Sequence, residues 1–213
     1  MESIAKKFAL AASSMLLAAS AFGATTIGNT TADDVMLAAQ AADTFVFTPA
    51  WNPQAGPNGD TSGFGTAFDG YGSSGAWTLL GKNEGGSSTG FGLLSGLNFT
   101  FDVGTGTSGT WTVTSSASQN VALDLVLALK AGNGAGAFLL NNLSINPGQT
   151  LSGTWHIDWF TGNNQANPDI SNVTVFGRDF DGISTPVPEP GEYAMLLAGL
   201  GLIGFVARRR KAL

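Results

Sequence analysis

The centre of the chain predicts an all-β fold, an antiparallel β-sandwich or jelly roll, and three observations carry that prediction. First, apolar and polar residues alternate. Leu97, Phe99, Phe101 and Val103 are interleaved with Asn98, Thr100 and Asp102; Val121, Leu123, Leu125, Leu127 and Leu129 with Ala122, Asp124, Val126, Ala128 and Lys130; Trp155, Ile157 and Trp159 with His156 and Asp158. A period of two sends successive side chains to opposite faces of a strand, so each run describes one apolar face. Second, glycine, threonine, serine and asparagine dominate the remainder, with large aromatics set among them, a composition that favours short strands and turns over helices. Third, residues 24–185 are one ordinary domain's worth of chain, able to bury about 70% of its unfolded surface. The 213 residues contain no cysteine, so the core forms without disulfides; thiolate nucleophiles and cysteine zinc sites are excluded.

Taken in order, the chain opens with a basic start (Lys6, Lys7), an uncharged apolar stretch from Phe8 to Ala19, and small residues at Ala19 and Ala21. These are the three parts of a secretory signal, which places a leader helix at residues 1–23 and cleavage by signal peptidase beside Ala19 and Ala21. Residues 25–42 are open between a helical turn or two (Asp33 to Ala42) and an extended lead into the first strand. Strand candidates follow at Thr44–Thr48, Trp77–Gly81, Trp111–Thr114, Gly136–Leu140 and Val173–Gly177, besides the alternating runs. The stretch from Pro49 to Tyr71, with glycines 56, 59, 63, 65 and 70 and prolines 49, 53 and 57, reads as a long surface loop pinned by Phe64, Phe68 and Tyr71. Ser74-Gly75-Ala76-Trp77, Ser108-Gly109-Thr110-Trp111 and Ser152-Gly153-Thr154-Trp155 echo one another at unequal spacings. They predict three similar turns leading into strands, each with a tryptophan plugging the core edge.

The last thirty residues have a different character. Val187-Pro188-Glu189-Pro190 precedes an uncharged run, Tyr193 to Ala207, closed by Arg208, Arg209, Arg210 and Lys211. Fifteen residues fall short of the roughly 20 that span a bilayer core. Seven strongly apolar side chains nevertheless favour insertion by about 2–4 kcal/mol in sum, and the arginines can snorkel to lengthen the span. The basic cluster keeps the tail cytoplasmic and exports everything before it, the same orientation that the N-terminal leader gives. The two prolines fix φ and hold the box extended and non-helical just outside the membrane. A plain proline linker before a permanent anchor has the same ingredients.

Proline box, short Gly/Leu-rich helix and arginine triplet, in that order over residues 186–213, resemble the PEP-CTERM sorting domain. The resemblance implies an exosortase substrate of an exopolysaccharide-producing Gram-negative bacterium. Such a protein is held transiently or permanently in the inner membrane, cut near Pro188-Glu189-Pro190, and passed to the cell surface or released outside the cell. The central elements Trp77–Lys82, Gly109–Trp111 and Val126–Lys130 are also similar to passenger domains of PEP-CTERM proteins, a likeness that brings no established activity with it.

Charge narrows the function. Residues 24–185 hold three basic side chains (Lys82, Lys130, Arg178) against twelve acidic ones. A net charge near −9 repels phosphate backbones and argues against nucleic-acid binding. Chemistry is sparse. His156, the sole histidine, should share a strand face with Asp158, a pair able to act as base and orienter or as two metal ligands, yet too few alone for a catalytic zinc site. Asp179 and Asp181 resemble the start of a calcium loop without its remaining oxygens, with Asn163, Asn164, Asn167 and Asp169 as an oxygen-rich loop that could join them in space; turn chemistry accounts for the same residues. No other cofactor is expected. Gly104–Gly109 matches no phosphate loop. Trp51, Trp77, Trp111, Trp155 and Trp159 are candidates for stacking on a glycan, or for core packing. The expectation is a noncatalytic exported surface or matrix protein, with an exopolysaccharide-binding module as the alternative; a glycosidase would need two carboxylates about 5–10 Å apart in a cleft.

Overall fold

A computed structural model describes residues 25–72, 75–84, 90–91, 96–102, 106–162, 165–181 and 199–200. They form an all-β fold of two antiparallel sheets. The strands are β1 (Val35–Leu37), β2 (Gln40–Ala41), β3 (Thr44–Pro49), β4 (Thr78–Glu84), β5 (Gly90–Phe91), β6 (Leu97–Phe101), β7 (Ser108–Ser115), β8 (Val121–Ala131), β9 (Gly134–Ile145), β10 (Thr150–His156) and β11 (Ile170–Asp181). One sheet has the order β2-β1-β10-β7-β6-β5 and the other β3-β9-β8-β11-β4. Their facing sides share one core. Val35, Phe99, Phe101, Trp111, Val113 and Trp155 of the first sheet meet Leu80, Leu125, Leu127, Leu129, Phe138 and Val175 of the second, as in a β-sandwich. Within Asp33 to Ala42 the extended alternative holds, as β1 and β2, after a single 3-10 turn at Ala32–Asp34.

The β8–β9 hairpin shows how the local sequence sets register. Ala131 pairs with Gly134 across a two-residue loop, Gly132-Asn133. Gly132 takes φ +56° there, and a Cβ on it would strike Thr161 and Pro168, so the turn wants glycine on both counts.

Several sequence expectations are corrected. The alternation in β8 predicts a single apolar face, yet Val126 and Ala128 are as buried as Leu125 and Leu127. The reason is the Pro49–Tyr71 stretch, which is folded down as a third layer. Trp51, Phe64 and Phe68 form a second core with Val126, Ala128, Ala135, Ala137, Leu139 and Phe176 on the outer face of the β3-β9-β8-β11-β4 sheet. Small side chains on β8 and β9 leave room for the phenyl rings. Tyr71, grouped with those anchors, is instead exposed.

The Ser-Gly-x-Trp echoes are likewise not all turns. Two of them lie within paired strands, β7 and β10, with Gly109 opposite Trp155 and Trp111 opposite Gly153. Each glycine clears the space its partner's indole fills: a Cβ on Gly109 would lie 2.5 Å from Trp155 Cζ2, and one on Gly153 would meet both Trp111 and the Met36 carbonyl. The repeat is a reciprocal pair of notches.

The leader helix expected at residues 1–23 lies outside the described residues. Of the helix expected at 193–207, Gly199 and Leu200 are described, both helical, with Leu200 58% exposed. Among the described residues no helix is long and apolar enough to cross a membrane.

Candidate functional site

The described residues bring one set of metal-binding side chain types together: Asp34, His156 and Asp158, with one donor atom from each within 4.8 Å of the others. Strand alternation makes the first contact. His156 ends β10, Asp158 follows two residues on, and their side chains meet, His156 Nδ1 to Asp158 Oδ2 at 3.3 Å. Asp34 arrives from far away in sequence because β1 pairs with β10, Val35 against Trp155, which sets the preceding 3-10 turn over the end of β10. Gly28 holds the same segment down: the Asn29 N–H donates to the Asp158 carbonyl, and a Cβ on Gly28 (φ +58°) would strike that carbonyl and Trp159. Asn167 steadies the far side, its Nδ2 donating to Asp158 Oδ1 at 3.0 Å and to the Ile157 carbonyl at 2.7 Å. The histidine–aspartate pair was legible in the sequence; Asp34 was not, because no local spacing links it to His156.

Burial pushes the Asp34 carboxyl up to about 6 from its ordinary 3.8; the Thr31 N–H opposes the rise, Asp158 adds to it, His156 opposes it and Asp33 adds to it. The folded protein therefore holds this proton more tightly than the unfolded chain. The sign follows: metal-free stability falls as pH rises from about 4 to about 6 and levels off above. Asp34→Asn should flatten that slope and raise stability at pH 7 by about 1–2 kcal/mol, less than the full conversion because the neighbouring side chains open to solvent. Urea denaturation at several pH values checks this, and an unchanged slope in the variant contradicts it.

The other sites expected from the sequence fare differently. Asp179, named as a calcium ligand with Asp181, lies 3.5 Å from Arg178 Nε, so a guanidinium already faces it. Asn167 and Asp169 do not join these aspartates. β11 separates them by its length of about 36 Å, and Asn167 serves Asp158 instead; Asn163 and Asn164 lie outside the described residues. Asn167, Asp169 and Asp179 therefore do not assemble the oxygen shell that calcium needs. A cavity of ≈ 300 Å3 lined by Gly72, Ala122, Leu123, Asp124, Asn142 and Asp179 opens at that end of β11, and within it Asp124 is committed to Arg178 Nε at 3.0 Å.

Glycan stacking is corrected too. Trp51, Trp111, Trp155 and Trp159 are buried; the indole N–H groups of Trp51, Trp111 and Trp159 donate to the carbonyls of Asp60, Met36 and Ala131. Core packing claims them because both faces of the second sheet and one of the first are covered. Trp77 is half-buried, and the Arg178 guanidinium lies 4.3 Å from its ring centre, leaving that face no place for a sugar.

The sandwich has two poles. His156, Ile170 and Ala131 mark one pole, where Thr26 also bridges to Phe160. Val121, Ile145 and Asp181 mark the other. β11 runs from the first to the second, and the chain beyond it reaches the proline box. Val187, Pro188, Glu189 and Pro190, the stop residues Arg208, Arg209, Arg210 and Lys211, and the leader residues Ala19 and Ala21 lie outside the described residues. A family model described as PEP-CTERM protein-sorting motif matches residues 186–211. The chain carries a PEP-CTERM sorting motif.

The PEP-CTERM motif implies an exported protein that passes through the membrane, with an exosortase as its processing partner. No curated protein and no solved structure matches the chain. In sequence the PEP-CTERM motif follows β11, whose last residue, Asp181, lies at the pole opposite the Asp34–His156–Asp158 cluster.

Proposed function

We propose that this chain is a noncatalytic passenger, delivered by way of an inner-membrane intermediate to the cell surface or extracellular matrix of an exopolysaccharide-producing Gram-negative bacterium. In this reading residues 1–23 are removed by signal peptidase and residues 193–207 form a short membrane helix held by the basic stop. Exosortase cuts at Pro188-Glu189-Pro190. The observation that carries the reading is the sorting motif at 186–211, placed directly after the last strand of an all-β domain. A stiff proline box between a folded domain and an apolar run presents the substrate segment clear of both.

Replacing Pro188, Glu189 and Pro190 together with alanine should abolish the processed form and leave a longer, membrane-fractionating species. Immunoblotting of fractionated cells with an antibody to the β-domain reads the result, and deletion of the host exosortase should reproduce it. Processing that survives both changes would sink the proposal. The exopolysaccharide-binding alternative loses its stacking rings, which are in the core or under Arg178, and keeps only the sandwich fold and the asparagine-rich loops in its favour.

A further inference from the structure

We propose that Asp34, His156 and Asp158 hold a divalent transition-metal ion at the pole of the domain opposite the end of β11. The site goes beyond the sorting reading and stands whether or not that reading does. Its donors are one imidazole nitrogen and two carboxylate oxygens, all within 4.8 Å of one another. A borderline ion binds such donors at about 2.0–2.2 Å, so a shift of about an ångström in the side chains closes the shell. His156 has room to make that shift, its side chain being 45% exposed. The nitrogen donor selects against calcium and magnesium, which take oxygen. Three protein ligands leave further positions to water.

The arrangement around the donors is that of a held site. Asn167 orients the Asp158 carboxylate through Oδ1, leaving Oδ2 toward His156. Outer hydrogen bonds of this kind fix ligand direction. A second observation points independently to a cation. Asp34 is only 7% exposed, yet among the described residues its one hydrogen bond is a long one, from the Thr31 N–H at 3.3 Å, and no lysine or arginine pairs with it. A buried carboxylate so sparsely compensated is where a bound cation gains most. In the same segment the Thr30 hydroxyl is buried without a partner. An ion here would clip the Gly28–Asp34 segment to the end of β10, closing a long loop of chain.

The test uses the purified protein without a histidine tag, stripped with chelator and titrated with zinc. One equivalent should bind by calorimetry. Free zinc about 100-fold above its Kd should raise the melting temperature by roughly 5–10 °C. His156→Gln and Asp158→Asn should each weaken zinc at least about tenfold, since loss of an outer-shell partner alone costs that much, while Asp179→Asn binds as the unsubstituted protein does. Zinc-edge X-ray absorption on the unsubstituted protein reads the site even where a variant fails to fold, and should report one imidazole among light-atom donors. A zinc effect that is absent, matched by calcium, retained in both variants, or accompanied by an imidazole-free shell overturns the proposal.

Discussion

Asp124→Ala should lower the stability of the β-domain by up to about 3–5 kcal/mol, because it removes the buried carboxylate beside a buried cation. Among the described residues it leaves only the more exposed Asp179 at 3.5 Å and Asp69 at 4.0 Å. Arg178 is buried on β11 opposite Asp124 on β8. Its Nε donates to Asp124 Oδ2 at 3.0 Å, and its Nη2 donates to the carbonyls of Phe68 at 3.0 Å and Tyr71 at 2.6 Å. The guanidinium also covers Trp77. One side chain thus fastens the end of the third layer to the sheet below. Bulges on either side of Asp124 make the geometry possible: register shifts at Leu123/Leu125 and at Arg178/Asp181 accompany positive φ at Asn142 and Asp179, and a bulge re-aims side chains that regular pleating would send elsewhere. Chemical denaturation gives the magnitude, and limited proteolysis should show cleavage within residues 52–71 in the variant before global unfolding. Replacing the pair together, Asp124→Leu with Arg178→Met, should recover much of the loss, because apolar residues of similar volume carry no desolvation cost. A single-variant loss below about 1 kcal/mol would mean the pair is solvated and the layer is held otherwise.

Gly153→Ala is the second large effect, about 3 kcal/mol or more, at the upper end of overpacking costs. Its new Cβ would land on the Met36 carbonyl and the Trp111 indole. The ring cannot swing aside, since Trp111 Nε1 donates to that same carbonyl at 3.0 Å and the ring stacks on Phe101 at 5.6 Å between centres. The contact is with backbone and a locked ring, so β1 must part from β10 or the indole must leave the core. Gly70→Ala is the matched control, having nothing within 4 Å of the added atom, and should stay within about 0.5 kcal/mol. Thermal melting of the two variants side by side decides the matter; equal melting temperatures would refute the reciprocal-notch account of the repeated Ser-Gly-x-Trp segments.

Those notches show how far a linear reading reaches. The echo at Trp111 and Trp155 is visible in the sequence, but its meaning needs the antiparallel register that sets Gly109 against Trp155. The same limit applies to β8. Alternation located the strand almost to the residue, Val121–Lys130 expected and Val121–Ala131 observed, because a period of two is a local consequence of the pleat. It missed the burial of Val126 and Ala128, which depends on a loop more than fifty residues earlier folding over them.

Short-range physics, then, was written along the chain: strand periodicity, glycine turns, and a proline box with apolar run and basic stop whose meaning lies in their order. Each depends on neighbours a few residues apart. The third layer, the Arg178–Asp124 tie and the meeting of Asp34 with His156 and Asp158 came from pairings across the sheets. Contacts between residues distant in sequence are set by which strands lie side by side, and the free energy that selects that arrangement is shared across the whole core.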